Sequence, residues 1–236
     1  METTIKNISV NQLAGMIDHT FLKPFGTTRE IEKLCMEARK YGFAMVAINP
    51  AEVTACAELL KGSPVRVGAA IGFPLGQTTS ECKSFEIRDA IRQGATEIDM
   101  VINIRALQKG DIDLVRREIE DMVAACKPAK VISKVILETC YLTDSQKEIV
   151  CQISKDAGVD FVKTSTGFGT AGATIEDVAL MRRVVGPSIG VKAAGSIRDL
   201  DTALRLIQAG ATRLGTSSGV EIVESYNQLL KSGKDA

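Results

Sequence analysis

The 236-residue sequence lacks an excess of either charge, has a single histidine and contains no C-x-x-C motif among its six cysteines. Lysine and arginine number 29, against 29 aspartate and glutamate residues, and this balance argues against a nucleic-acid-binding protein, which would be basic. His19 alone cannot form a multi-histidine metal site, and the cysteines lack the spacing of a zinc site. The sequence therefore predicts a protein with no metal, no other cofactor and no nucleic-acid partner.

Long apolar runs are also missing from the sequence. No stretch approaches the ~18–20 apolar residues that a membrane-spanning helix needs. The N-terminal sequence METTIKNISVNQLAGM lacks the basic region and the apolar stretch of a signal peptide. We therefore expect no membrane partner and a cytoplasmic location.

The sequence does contain a regular alternation of short β-branched segments and amphipathic segments that end at glycine. A glycine directly after a helix adopts the left-handed conformation that ends the helix, and an extended segment follows. Eight candidate strands leave about 30 residues for each strand–helix unit, the usual length of a βαβ repeat. The predicted strands are 16–21, 43–48, 65–71, 96–102, 131–137, 159–165, 189–194 and 212–216.

This alternation predicts an α/β fold with a parallel sheet. Eight such units close into a (β/α)8 TIM barrel of roughly 250 residues. We expect residues 1–236 to form a single barrel domain with an extra helical segment at the N-terminus. An open, doubly wound sheet is the alternative, although such sheets usually have fewer strands.

The helix starts are marked by capping-box patterns, in which a threonine precedes a glutamate, glutamine or aspartate by three residues. Two predicted helices have a clear apolar face, one from about residue 29 to 41 and one from 111 to 126. The predicted capping pairs are Thr27/Glu30, Thr78/Glu81, Thr143/Gln146 and Thr174/Asp177.

Charged residues occur inside several predicted strands. Side chains at alternate strand positions share a face, and Asp99, Lys163 and Lys192 lie opposite the apolar residues beside them. Lys134 and Glu138 share one face of the fifth strand. Because buried charges are costly unless paired, a purely structural ion cluster is one interpretation. We favour a catalytic one, since catalytic side chains of this fold project from the strand ends.

Two lysines on neighbouring strands indicate a particular chemistry. An isolated lysine has a pKa of about 10.4 and is protonated at neutral pH. A second ammonium group and burial would both lower the pKa of one lysine, whose free amine could then attack a carbonyl. The protonated imine that results is an electron sink, which lets a nearby C–C bond break or form. The pair predicts a Schiff-base aldolase in which Asp99 passes protons.

Glycine-rich segments follow the sixth, seventh and eighth predicted strands. The segment 167–172 matches G-x-G-x-x-G, but the acidic residue that a dinucleotide site needs about 20 positions later is missing. A substrate loop whose backbone N–H groups approach an anion is the better interpretation. The segments 195–196 and 215–219 lie where barrels often bind phosphate, although both are also compatible with tight turns and helix caps.

Eight segments spread over nearly the whole chain form a further pattern. They are IDHTFLKP at 17–24, VAINP at 46–50, IGFPLG at 71–76, EIDMVIN at 97–103, VILETCYLT at 135–143, DFVKTSTGF at 160–168, VKAAGSIRD at 191–199 and GTSSGV at 215–220. Together they resemble the deoxyribose-phosphate aldolases of the short bacterial type, which are class I aldolases. The resemblance implies reversible cleavage of 2-deoxy-D-ribose 5-phosphate to D-glyceraldehyde 3-phosphate and acetaldehyde, in deoxynucleoside catabolism. It also implies a homodimer or higher oligomer that uses no metal.

The resemblance also implies roles for individual residues. Lys163 in FVKTSTG matches the Schiff-base lysine, Lys192 in VKAAG the second lysine, and Asp99 in EIDMV the proton-transfer aspartate. The family's phosphate contacts map onto Gly167, Gly195, Ser196, Ser217 and Ser218.

Other residues are expected to support the site rather than react. We expect Lys134 and Glu138 to form an ion network below the site that tunes Lys163, with Asp18 as a further supporting residue. His19 is expected to orient a neighbour through a hydrogen bond rather than to act as the catalytic base.

The sequence departs from the family pattern at three positions. Ala47 stands where many members have a cysteine that aldehydes can trap, so we expect better tolerance of acetaldehyde. Ser196 replaces a glycine and places a Cβ beside the predicted phosphate. Arg105 stands where glycine is common, and we expect it to be a solvated loop residue.

Two other functions fit parts of the same pattern. A phosphosugar isomerase or synthase would share the phosphate site but would need a glutamate or histidine base instead of paired lysines. A non-catalytic phosphosugar-binding protein would keep the phosphate site and would have no reason to bury two lysines together.

Overall fold

The computed structural model describes residues 8–232, and its strands form one closed, parallel barrel. The last strand pairs with the first, with Ile17 opposite Leu214 and His19 opposite Thr216. This closure confirms the predicted TIM barrel and excludes the open sheet. The strands are β1 (Ile17–Phe21), β2 (Met45–Ile48), β3 (Arg66–Ile71), β4 (Glu97–Val101), β5 (Ile132–Ile136), β6 (Phe161–Lys163), β7 (Gly190–Ala194) and β8 (Arg213–Thr216).

Helices join successive strands and pack around the barrel. Short 3₁₀ turns at Pro50–Glu52 and Thr139–Tyr141 follow β2 and β5. The α-helices of the described residues are α1 (Val10–Ala14), α2 (Thr28–Tyr41), α3 (Val53–Leu59), α4 (Ser80–Gln93), α5 (Ile104–Gln108), α6 (Ile112–Cys126), α7 (Asp144–Ala157), α8 (Ile175–Val185), α9 (Leu200–Gln208) and α10 (Gly219–Lys231).

The expected extra helical segment at the N-terminus is α1. Ser9 and Gln12 form a capping box at its start, and the helix packs against α10. The hydroxyl of Tyr226 on α10 donates a hydrogen bond to the carbonyl oxygen of Ile8, 2.8 Å away. Residues 1–7 and 233–236, which the expected domain 1–236 includes, lie outside the described residues.

Three of the four predicted threonine caps lie where the sequence places them, and Thr27 and Thr143 form complete capping boxes. The prediction for Thr78 was wrong. The helix begins one residue later, and Thr79 caps it by accepting a hydrogen bond from the backbone N–H of Cys82 at 3.3 Å. Adjacent threonines can each cap a helix, and here Thr79 has the extended backbone (φ −69°, ψ 157°) that a cap requires.

Small residues inside the barrel make room for larger neighbours on adjacent strands. A Cβ atom on Gly190 would lie 2.1 Å from the ring of Phe161, and one on Gly68 would lie 2.3 Å from Met45 Cε. A Cβ on Gly215 would lie 3.1 Å from Cε of Lys192. The missing side chains therefore allow aromatic and long charged residues to fill the interior.

The helices described between residues 8 and 232 include none that is long and apolar enough to cross a membrane.

Candidate active site

A cavity of about 640 Å³ opens at the carboxyl ends of β1, β6, β7 and β8. This end of a TIM barrel is where active sites of the fold lie. Lys163, the last residue of β6, lines the cavity, and the side chain of Lys163 is itself buried. The ends of β6, β7 and β8 and the loops after them supply Thr166–Phe168, Ala194–Arg198 and Gly215–Ser217, and α2 supplies Glu30, Lys33, Leu34 and Glu37.

The carboxylate of Asp99 lies among three ammonium groups. Its Oδ1 atom is 2.7 Å from Nζ of Lys134. Its Oδ2 atom is 2.7 Å from Nζ of Lys163 and also 2.7 Å from Nζ of Lys192. The structure therefore brings together the three residues for which the sequence predicts a catalytic role, and it places both lysines on one oxygen atom.

Burial changes the protonation of Lys163 more than any neighbour does. It lowers the pKa of Lys163 to about 8, although the carboxylate of Asp99 acts in the opposite direction. The ammonium groups of Lys192 and then Lys134 add to the lowering. A measurable fraction of Lys163 is therefore a neutral amine near physiological pH.

Asp99 has the opposite property. Burial opposes the ionisation of its carboxyl group, but the charges of Lys134, Lys163 and Lys192 outweigh burial and hold the pKa of Asp99 well below its usual range. Asp99 is therefore a carboxylate that accepts hydrogen bonds from every ammonium group around it.

A second tier of ion pairs lies deeper in the barrel. Asp18 contacts Nζ of Lys192 at 2.7 Å and also binds the guanidinium group of Arg213. Arg213 reaches Glu97 at 2.9 Å, and Glu97 also binds Lys134. Asp18 and Lys134, the residues expected to support the site, are thus joined by ion pairs to Lys192 and Asp99.

Sequence reasoning missed Glu97 and Arg213. Glu97 precedes Asp99 by two residues, so the two-residue period that turns Asp99 inward turns Glu97 inward as well. Arg213 pairs in register with Lys192, and its side chain points into the barrel for the same reason. The strand period therefore contained the signal for both.

Glu138 lies apart from Lys134, contrary to the expected ion network between them. It follows the end of β5 in the left-handed region, at φ 56°, where the alternation of the strand no longer applies. Its carboxylate accepts hydrogen bonds from the backbone N–H of Thr166, at 3.1 Å, and from the Thr166 hydroxyl. Glu138 therefore holds the loop after β6.

The predicted phosphate contacts lie around the cavity with one exception. Gly167, Gly195, Ser196 and Ser217 line it, and Ser196 adopts a left-handed backbone with φ 62°. Ser218 is not among the lining residues; it precedes α10, and its backbone N–H donates a hydrogen bond to Thr216 Oγ1 at 2.9 Å. The four lining residues thus frame a space next to the start of α10.

Three residues outside the two tiers of ion pairs are also singled out in the sequence: His19, Ala47 and Arg105. His19 Nε2 lies 2.9 Å from a carboxylate oxygen of Glu37 on α2, which fits an orienting role. Ala47 is buried on β2 and pairs in register with Gly68, a position of β3 that faces the barrel interior. Arg105 is exposed, as expected, but it lies on α5 rather than in a loop.

Within residues 8–232, no group of three or more His, Cys, Asp or Glu side chains is arranged to hold a metal ion. The carboxylates next to the two lysines, Asp18 and Asp99, are bound to lysine or arginine.

The chain is similar over most of its length to known aldolases. Residues 13–225 match the family model described as DeoC/LacD family aldolase. A deoxyribose-phosphate aldolase of Bacteroides thetaiotaomicron is 77% identical over 227 residues, which cover 96% of this chain and 95% of the relative. One from Thermoanaerobacter pseudethanolicus is 55% identical over 221 residues, covering 93% and 99%.

A solved structure is similar as well. The deoxyribose phosphate aldolase of Aeropyrum pernix, described as a unique tetrameric structure, superposes with a TM-score of 0.87 at 35% identity. The match covers 94% of this chain and 93% of that one. The resemblance that the sequence motifs indicated is thus confirmed.

Proposed function

The chain belongs to the DeoC/LacD family of aldolases, and we propose that it reversibly cleaves 2-deoxy-D-ribose 5-phosphate by way of an imine on Lys163. The products are D-glyceraldehyde 3-phosphate and acetaldehyde, in keeping with the reaction for which its relatives are named. The observation that carries the residue assignment is the contact of the cavity-lining Lys163, and of Lys192, with one oxygen of the buried Asp99.

The neutral amine of Lys163 starts the reaction. It attacks the C1 aldehyde of the open-chain sugar, and the carbinolamine takes up a proton and loses water to give a protonated imine. The C3 hydroxyl then loses its proton, the C2–C3 bond breaks, and its electron pair moves into the imine to form an enamine. This step releases D-glyceraldehyde 3-phosphate. Protonation of C2 and addition of water then release acetaldehyde and restore the amine.

Asp99 is suited to the proton transfers in this sequence. Its carboxylate contacts the ammonium groups of both Lys163 and Lys192, so a proton can pass between them and the reacting carbon, directly or through water. The imine itself is the electron sink, so the proposed chemistry requires no cofactor or metal.

The phosphate of the substrate is assigned to the loops after β6, β7 and β8. Backbone N–H groups and a helix N-terminus favour an anion there. Four of the five predicted contacts line the cavity next to Lys163, and the fifth, Ser218, stands at the start of α10. These five assignments are Gly167, Gly195, Ser196, Ser217 and Ser218.

The geometry does not favour an isomerase or a synthase. Such a reaction needs a free glutamate or histidine base facing the substrate. Of the candidates, His19 and Glu37 bind each other, Glu30 accepts a hydrogen bond from the backbone N–H of Thr27, and Glu138 is held by Thr166.

Trapping of the imine tests the assignment. Incubation with acetaldehyde followed by borohydride should add a two-carbon group to Lys163, which peptide mass spectrometry would locate. Lys163→Met should remove the adduct and the aldolase activity, while Lys155→Met, an exposed lysine that bonds to the carbonyl oxygen of Val184, should keep both. An adduct confined to another lysine would contradict the assignment.

Three wider properties belong to the same proposal. We propose that residues 1–236 form a single domain, that the protein is cytoplasmic, and that it forms a homodimer or higher oligomer. The tetrameric structure of the Aeropyrum pernix relative supports an oligomer. Light scattering after size-exclusion chromatography would measure the oligomeric state, and a monomer at micromolar concentration would contradict it.

A further inference from the structure

The ion pairs inside the barrel do not balance in charge. Each group in this network contacts an opposite charge, and none of the residues is more than 9% exposed. The network has four cations and three carboxylates, so it carries one surplus positive charge when every lysine is protonated. Its members are Lys134, Lys163, Lys192 and Arg213, with Asp18, Glu97 and Asp99.

Glu97 and Arg213 belong to the network but do not contact Lys163. Glu97 is fully buried and binds Lys134 and Arg213. Arg213 bridges Glu97 and Asp18. Neither residue lines the cavity and, unlike Asp99, neither forms an ion pair with the cavity-lining Lys163, so neither is placed to touch a substrate. Arg66, the first residue of β3, has a half-exposed side chain and makes only a distant contact with Glu97, at 3.8 Å.

Among Arg213, Lys134 and Lys163, the surplus positive charge is most readily lost as a proton from Lys163. A guanidinium group does not deprotonate in proteins. For Lys134, burial disfavours the charge, but Asp99, Glu97 and Asp18 outweigh burial and raise its pKa. For Lys163, burial prevails over Asp99 and the pKa is lowered to about 8. Loss of the proton from Lys163 leaves three cations facing three carboxylates.

We propose that Glu97 and Arg213 are positioning residues that set how tightly Lys163 holds its proton, because they fix the net charge of the network from its far end. They act through Asp18, Asp99, Lys134 and Lys192. The inference rests on the proposed function only in giving the Lys163 amine its task.

Other groups that face Lys163 lie outside the network. The ring of Phe73, in the segment after β3, is 5.3 Å from Nζ and carries no charge. Glu138, after β5, carries a charge that acts on Lys163, but its oxygens bind Thr166 rather than an ammonium group. Asp99 on β4 is the charged group in direct contact with Lys163. Lys192 on β7 and Lys134 on β5 contact the same Asp99 carboxylate, and their charges act on Lys163 from there.

Opposite substitutions should shift Lys163 in opposite directions. Glu97→Gln keeps the size of the side chain and adds a surplus positive charge, so it should lower the pKa of Lys163 by roughly one unit. Arg213→Gln removes the surplus and should raise that pKa by roughly one unit. The double variant restores the original net charge, so the pKa of Lys163 should return to near its value in the parent protein.

The measurement does not depend on aldolase activity. The rate at which fluorodinitrobenzene labels Lys163 is followed against pH by peptide mass spectrometry, and the midpoint gives the pKa of the free amine. Glu148→Gln and Arg183→Gln make the same charge changes in an exposed pair 3.1 Å apart on the surface, and neither should shift the midpoint. Circular dichroism establishes that each variant is folded.

Several results would overturn the inference. Shifts of the two single variants in the same direction, or a double variant that fails to return, would show a structural effect rather than a charge effect. If Arg213→Gln does not fold, Glu97→Gln decides alone, and an unchanged midpoint there refutes the proposal. Borohydride trapping separates this inference from the proposed function: opposite shifts without any imine would uphold the charge effect and refute the aldolase assignment.

Discussion

Among individual residues, Lys163 has the environment with the clearest kinetic consequence, because burial lowers the pKa of its amine to about 8. Only the neutral amine attacks an aldehyde, so kcat/KM should rise about tenfold per pH unit below pH 8 and level off above it. A profile measured from about pH 6 to about pH 9 reports the free enzyme. A flat profile over this range would contradict the role of Lys163.

Asp99 is predicted to affect rate and pH dependence separately. Its carboxylate raises the pKa of Lys163 against the effect of burial. Asp99→Asn should therefore move the acidic limb of the profile to lower pH, while kcat falls by about 10²–10⁴ because proton transfer is lost. Asp113→Asn, an exposed carboxylate on α6, is the control and should change neither. A fall in kcat with the limb unmoved would limit Asp99 to proton transfer.

At the scale of single elements, the start of α4 provides a matched pair of threonines. Thr79 caps the helix, whereas Thr78 does not. Thr79→Ala should lower the free energy of unfolding by about 1 kcal/mol. Thr78→Ala should change it by less than about 0.5 kcal/mol. Urea denaturation measures both, and equal losses would show that the two hydroxyls share the cap.

The sequence predicts the elements well because each has a local signal. Glycine such as Gly42 or Gly158 ends a helix in the left-handed conformation, and a strand follows within a few residues. All eight predicted strands are present, with ends that differ from the structure by a few residues. The cap of α4 was predicted wrongly because two adjacent threonines are both suited to cap a helix. Only the path of the preceding loop distinguishes them.

The candidate site is less predictable because its contacts join distant parts of the chain. The two-residue period turns Asp99, Lys163 and Lys192 inward, and barrel closure brings them together. The same period extends to Glu97, which was nevertheless missed. No period applies to Glu138, because a left-handed residue after β5 turns its side chain toward Thr166.

For the whole molecule, the lowered pKa of Lys163 links stability to pH. The folded state holds this proton less tightly than the unfolded chain, whose lysine has a pKa of about 10.4. Stability contributed by Lys163 is therefore full above the unfolded pKa and is lost as pH falls through about 8. Between about pH 7.5 and about pH 9.5 the free energy of unfolding should rise by roughly 2 kcal/mol from this residue.

Comparison with Lys163→Met isolates this contribution from other titrating groups. Urea denaturation of both proteins at the two pH values gives the difference. The parent protein should gain stability relative to the variant as pH rises. A difference that is constant with pH would mean that folding leaves the proton affinity of Lys163 unchanged.

The pairing of β8 with β1 also bears on how the protein is made. A ribosome produces the aspartate of β1 first and the arginine of β8 last, and the two meet only when the barrel closes. In a nascent chain that ends before Arg213, Asp18 and Glu97 would lack their guanidinium partner. Strand β1 would also have no β8 to pair with. Folding of the central barrel should consequently wait until translation has passed β8, so that stalled or truncated nascent chains stay open and accessible to chaperones.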